Sequence, residues 1–155
     1  MYTITGVTGH VGSIAAQTLL AQGKQLRVLV RDAEKGEPWK KQGAEVAVGT
    51  YHDHAALVKA FTGVEGAFVL LPPAEGMGSP DPVAFNIEVA QKIAAAIREA
   101  KLPHVVLLSS VAAQHPKDTG PIRALHHAET LFAATGAALT AVRAAYFQEN
   151  WGSSL

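Results

Sequence analysis

Short, continuously apolar runs alternate along this chain with longer stretches in which apolar residues recur every three or four positions. Tyr2-Thr5, Leu26-Val30, Glu45-Val48, Ala67-Leu71, Val105-Leu108 and Leu139-Val142 read as six strands. Most of them are apolar without interruption, as expected of parallel strands covered by helices on both faces. Val11, Ile14, Ala15, Thr18 and Leu19 mark one face of a helix ending near Gly23, and Phe85, Val89, Ile93, Ile97 and Ala100 mark a longer one reaching about Lys101. Shorter helices are expected over Pro38-Gln42, Ala55-Phe61 and Ile122-Thr135. Strict alternation of strand and helix, with right-handed crossovers, predicts an α/β protein: a Rossmann-type doubly wound parallel sheet with helices on both faces. The pattern fills residues 1-155 as one domain, with no internal repeat or linker. Its one long irregular stretch, Pro72-Pro82, follows the fourth strand, at the end of the sheet where such folds place ligands.

Composition narrows this picture. A chain of 155 residues can bury a core, and 48% hydrophobic with 17% charged residues is a globular balance. The formal net charge of zero gives no field favouring nucleic acid or an anionic membrane. The absence of cysteine excludes disulfides, thiol catalysis and cysteine zinc sites, and suits a reducing compartment. No basic segment leads into an apolar run at the start, and Ala67-Pro73 is too short to span a bilayer, so a cytoplasmic protein is expected.

The chemistry is concentrated in Gly6-Val7-Thr8-Gly9-His10-Val11-Gly12, between the first strand and the first helix. A tight turn needs a glycine first, close approach of a pyrophosphate needs a bare Cα second, and helix-on-strand packing favours the third. The helix N-terminus adds free N–H groups and partial positive charge, so Gly6, Thr8, Gly9, His10, Val11 and Gly12 are expected to hold a dinucleotide. The second strand ends in Arg31, where a site selective for NAD usually carries an acid. Arg31, with Lys35 nearby, suits a ribose 2′-phosphate, which favours NADP(H); Asp32 keeps NAD(H) possible.

With these residues the chain resembles the NmrA-like branch of the atypical short-chain dehydrogenases/reductases along its whole length. The resemblance is carried by the glycine turn, by Val30-Arg31-Asp32, by Gly49-Thr50-Tyr51-His52-Asp53-His54-Ala55-Ala56-Leu57 and by Val105-Val106-Leu107-Leu108-Ser109-Ser110. It continues from Gly120-Pro121-Ile122 through Leu125-His126 and Glu129 to Thr140, Arg143 and Tyr146-Phe147-Gln148-Glu149-Asn150. The family commonly has aspartate where Thr50 stands. The likeness implies a domain that binds NADP(H) or NAD(H), with Asp53 and the strand-end residues Leu70, Leu71 and Pro72 beside the cofactor. It also implies that most of a smaller C-terminal portion, which completes the substrate pocket, is missing from this chain. Members include quinone, carbonyl and azo reductases, and regulators that bind the dinucleotide without turnover.

Ordinary dehydrogenases of this superfamily use a tyrosine to protonate the carbonyl, a lysine four residues later and a serine after the fifth strand. Counting back four residues from Glu129 puts the lysine position on Leu125 and the tyrosine position on Pro121, and the serine position, just after Ser109-Ser110, falls on Val111; none of the three does that work. The polar candidates that remain are His126, an imidazole titrating near neutrality, and Ser110 at the strand end. The structural reading is the simpler one for each: His126 as a helix-capping or packing residue, Ser110 as a backbone-binding serine, and Glu129 as a helix-surface or salt-bridge residue. The histidine pairs His52/His54 and His126/His127 lack zinc-site spacing, so no metal is expected. Two functions follow. One is NADPH-dependent reduction of a quinone or similar small-molecule acceptor. The alternative is a non-catalytic NADP(H) sensor acting through a regulatory protein partner. The sequence leaves the oligomeric state open.

Overall fold

In the computed structural model, which describes residues 1–73 and 79–148, six strands form one parallel sheet in the order β3-β2-β1-β4-β5-β6. The elements are β1 (Tyr2–Thr5), α1 (His10–Ala21), β2 (Leu26–Val30), α2 (Ala33–Lys41), β3 (Glu45–Val48), α3 (His54–Phe61), β4 (Gly66–Val69), α4 (Pro82–Ala100), β5 (His104–Ser110), a 3₁₀ turn (Gly120–Ile122), α5 (Arg123–Ala133) and β6 (Ala138–Ala144). Every pairing is parallel, with Ile4 of β1 opposite Val28 of β2 and Phe68 of β4. This is the Rossmann arrangement expected from the alternation.

Side-chain alternation along the strands builds two cores. Ile4, Val28 and Val30 meet Ala16 of α1 and Trp39 of α2 on one face. On the other, Leu29, Val69, Val105 and Leu107 meet Leu57 and Phe61 of α3, Ile93 and Ile97 of α4, and Phe132 of α5. Thr3 points into this second layer, where its hydroxyl donates to the Ala60 carbonyl at 2.5 Å, so a buried polar group is satisfied. The first face is half open beyond β4: Val106 and Leu108 are half-buried and Val142 is 45% exposed. Among the described residues no helix is long and apolar enough to cross a membrane.

Several boundaries differ from the sequence reading or were left open by it. The helix expected from Pro38 to Gln42 runs instead from Ala33 to Lys41, with Pro38 inside it. A proline within a helix removes one hydrogen bond, so its place in the sequence suggested a boundary. The Asp32 carboxylate overrides this by accepting the Glu34 amide at 2.9 Å, while Lys40 and Lys41 close the other end. Gly36, also poor for a helix, lets α2 press onto β3: a Cβ there would lie 2.4 Å from Val46 Cγ1. The fourth strand ends at Val69 rather than Leu71. The long helix starts at Pro82, since Asp81 accepts the Val83 and Ala84 amides, both at 3.0 Å. Residues 74–78 of the irregular stretch after β4, and 149–155 including Glu149, Asn150 and Trp151, lie outside the described residues.

Candidate dinucleotide-binding site

The sheet reverses its order between β1 and β4, and in open α/β sheets the crevice at the C-terminal strand ends beside that reversal is the natural ligand site. A cleft of about 640 Å³ lies there. Its floor is the turn from β1 into α1, lined by Gly6, Thr8, Gly9, His10, Val11 and Gly12.

The three glycines have different causes. Gly6 has φ +68°, a left-handed conformation, and a Cβ on it would lie 2.7 Å from Leu70 Cδ2. Gly12 is buried against the turn, where a Cβ would lie 2.3 Å from the Gly6 carbonyl oxygen. Gly9 faces open space: its Cβ would meet only the Gly6 oxygen, at 3.5 Å, and its own amide donates to that oxygen at 3.0 Å. Gly9 begins α1 without any side-chain cap, whereas Asp32, Asp53 and Asp81 cap α2, α3 and α4. The amides opening α1 thus face the cleft with no carboxylate on them, a donor set that fits a diphosphate.

Arg31 and Lys35 line the β2 side of the cleft, both exposed. Asp32 beside them is engaged in capping α2. On the β4 side the wall is Leu70, Pro72 and Pro73, and Phe147, just beyond β6, closes it. The segment after β3 adds Gly49, Thr50, Tyr51 and His52, and α4 adds Phe85 and Val89. The Tyr51 hydroxyl donates to the Leu70 carbonyl at 3.0 Å. Burial pushes its pKa up, opposed by the Thr5 hydroxyl and the positive charge of Arg31. His52 packs its ring on Phe85 with centroids 5.8 Å apart, and its Nδ1 is 3.0 Å from Lys92 Nζ.

Several expected site residues stand apart from the cleft lining. The Asp53 carboxylate caps α3 by accepting the Ala56 amide at 2.9 Å. Leu71 packs on the α4-side core. Ser110 closes β5, half-buried. His126 Nδ1 is 2.9 Å from the Ala113 carbonyl oxygen, which binds α5 to the loop after β5, the packing role the sequence also allowed. Ser109, next to Ser110 on β5, donates to Glu129 at 2.6 Å, and Arg143 grips the same carboxylate at 3.0 and 2.7 Å. Arg143 holds the Glu129 carboxyl below its ordinary range, so this group joins β5, α5 and β6 as an ion. His54, two residues from His52, turns away to Glu99 at 2.8 Å.

Sequence reasoning left Gly49, Thr50, Tyr51, His52, Pro73, Phe85, Val89 and Phe147, among others, off the lining. Phe85 and Val89 share the helical period of the core, so periodicity alone assigns them to packing. Phe147 reaches the cleft only because β6 returns the chain to the same end of the sheet.

A glycine turn at the reversal point of a 3-2-1-4-5-6 parallel sheet defines a Rossmann domain of the dinucleotide-binding type. The chain belongs to the NmrA-like family, which it matches over residues 2–153. It is 34% identical over 116 residues to a (4-alkanoyl-5-oxo-2,5-dihydrofuran-3-yl)methyl phosphate reductase of Streptomyces griseus, covering 75% of this chain and 36% of that protein. It is 26% identical over 150 residues to an NAD(P)H azoreductase of Xenophilus azovorans, covering 97% of this chain and 49% of that one. Among solved structures it resembles the Citrobacter sp. triphenylmethane reductase complexed with NADP(H), with TM-score 0.85, 25% identity and 97% of this chain on 51% of that one. It also resembles an NADPH-dependent quinone oxidoreductase of Escherichia coli complexed with NADPH, with TM-score 0.82, 25% identity and 99% on 52%. The chain therefore spans about half the length of these structures.

Proposed function

We propose that this domain binds NADPH, with NADH as the weaker ligand, and presents it to a small electrophilic acceptor such as a quinone for reduction. The observation that carries the reading is the opening over Gly9, where uncapped amides of α1 face a cleft whose β2 side holds Arg31 and Lys35. Those amides hold the pyrophosphate and the two cations hold the 2′-phosphate. Asp32 caps α2, which supports the phosphorylated cofactor over NADH.

The bound nicotinamide supplies the hydride. Leu70, Pro72, Pro73 and Phe147 give that end of the cleft an apolar lining, and none of them carries a transferable proton. A quinone suits such a site because it is electrophilic without protonation, and solvent supplies the proton afterwards. The reductases among the relatives support this reading. As in the resemblance, a further portion, present in relatives of about twice the length, completes the acceptor pocket.

The second reading is a sensor that binds NADP(H) without turnover and signals to a protein partner. The apolar acceptor end and the engagement of His126 with Ala113 favour it. Titration of the purified protein with NADPH and NADH, followed by menadione while cofactor absorbance is watched, tests both. Tight NADPH binding with oxidation on adding menadione supports the reductase, and tight binding with silence towards every acceptor supports the sensor. Failure to bind either dinucleotide refutes both readings.

A further inference from the structure

The first residue after β4 is held from three directions. The strand ends at Val69. The Leu70 amide donates to Thr5 Oγ1 at 3.4 Å, a long bond, and its carbonyl accepts the Tyr51 hydroxyl at 3.0 Å. Its side chain closes on the bare Cα of Gly6. Thr5 is the last residue of β1, and Tyr51 arrives from the segment after β3. Leu70 therefore ties together the ends of β1, β3 and β4, and it leads directly into the Pro72 and Pro73 wall.

We propose that the Tyr51 hydroxyl is a positioning group for the nicotinamide half of the dinucleotide: by holding the Leu70 carbonyl, it fixes where the chain leaves β4 and passes the cofactor. The inference rests on the proposed cofactor binding. A main-chain carbonyl at a half-buried strand end needs a donor, and without one the segment leaving the sheet has fewer restraints. The other half of the site has its own supports. The glycine turn is closed by the Gly9 amide on the Gly6 carbonyl, while Arg31 directly follows β2 and Lys35 stands on α2. The Tyr51 hydroxyl lies within the field of Arg31, but it is neutral and its loss leaves that charge in place, so the loss is felt chiefly on the β4 side of the pyrophosphate. A phenol is protonated, and so a donor, at neutral pH, and burial pushes this one further up.

Tyr51→Phe keeps the ring in the cleft and removes one oxygen. The probes are NADPH and 2′,5′-ADP, a fragment with the 2′-phosphate and one 5′-phosphate but no nicotinamide half. NADPH binding is expected to weaken about fivefold or more, the worth of one hydrogen bond, with 2′,5′-ADP unchanged within about twofold. Equal weakening of both probes, or no change in either, overturns the inference. General damage to the fold does not discriminate between the probes, and the melting temperature reports it separately. Thr5→Val, which removes the acceptor from the Leu70 amide, is expected to give the same one-sided loss, and it decides the matter if Tyr51→Phe fails to fold. Wild-type protein that binds neither probe overturns the proposed function and this inference together, whereas wild-type binding with unaffected variants overturns the inference alone.

Discussion

Gly9 and Gly12 stand three residues apart in one turn, and the structure assigns them opposite sensitivities. Alanine at Gly12, in the first turn of α1, replaces a poor helix former and favours folding by up to about 1 kcal/mol, whereas at Gly9, the N-cap, glycine is the better residue. At Gly12 the new Cβ lies 2.3 Å from the Gly6 oxygen, 2.6 Å from the Gly6 carbonyl carbon and 2.9 Å from the Thr5 oxygen. All three are main-chain atoms, so relief requires α1 to move off β1. Overpacking of this kind costs about 1–3 kcal/mol, and more where only backbone can give, so the net effect is destabilising. In a domain of this size each kcal/mol is worth about 2–4 °C, and Gly12→Ala is expected to lower the melting temperature by several degrees. At Gly9 the backbone is extended, φ −104° and ψ 171°, and the Cβ meets one atom at ordinary contact distance. Gly9→Ala therefore loses only the preference for glycine at an N-cap, and it is expected to melt closer to the wild type than Gly12→Ala does. Its methyl group occupies the space where the phosphates reach the amides of α1, and a clash of about 1–3 kcal/mol there weakens NADPH roughly 5- to 150-fold. Circular-dichroism melts and fluorescence titrations of both variants check this. A Gly9→Ala protein that binds NADPH like the wild type refutes the placement of the pyrophosphate, and equal melting of the two variants refutes the packing argument.

Arg31→Ala is expected to weaken NADPH by about tenfold or more, as loss of a charge-assisted contact implies, and to leave NADH nearly unchanged; equal loss for both cofactors gives Arg31 a structural role instead. Glu129 is ionised more readily in the folded chain than its ordinary value of 4.5, chiefly through Arg143, so its contribution to stability is complete above that pH and is lost as the pH falls through the lower folded value. Glu129→Gln should melt below the wild type at neutral pH, with the gap narrowing on acidification beneath 4.5; a gap constant from pH 7 to pH 3 would refute the assignment. His126→Ala is expected to slow any quinone reduction only modestly, because the ring is engaged with Ala113, whereas a loss of about 10²-fold or more would make it the acid. No oxidation of simple secondary alcohols by NADP⁺ is expected with proline and leucine at positions 121 and 125, and a robust activity would overturn the mapping from Glu129.

The order of elements was legible in the chain because parallel strands buried on both faces leave continuous apolar runs, and helices on either side leave a three-to-four repeat. The glycine turn was legible too, since its spacing is a local demand: a turn, an approach and a packing contact within seven residues. Arg31 and Lys35 followed from their distance along the chain to that turn. The helix after β2 was misplaced because a capping aspartate and a close contact with Val46 outweighed the proline and glycine within it, and only the packed structure shows that balance. Asp53, Leu71 and Ser110 took positions away from the cleft lining because hydrogen-bond geometry and strand phase, rather than nearness in sequence, set where a side chain points. Tyr51 and Phe147 are the converse. They enter the cleft because loops from β3 and β6 end beside the reversal between β1 and β4, and a juxtaposition made by sheet order across some 140 residues leaves no periodic or local trace in the sequence.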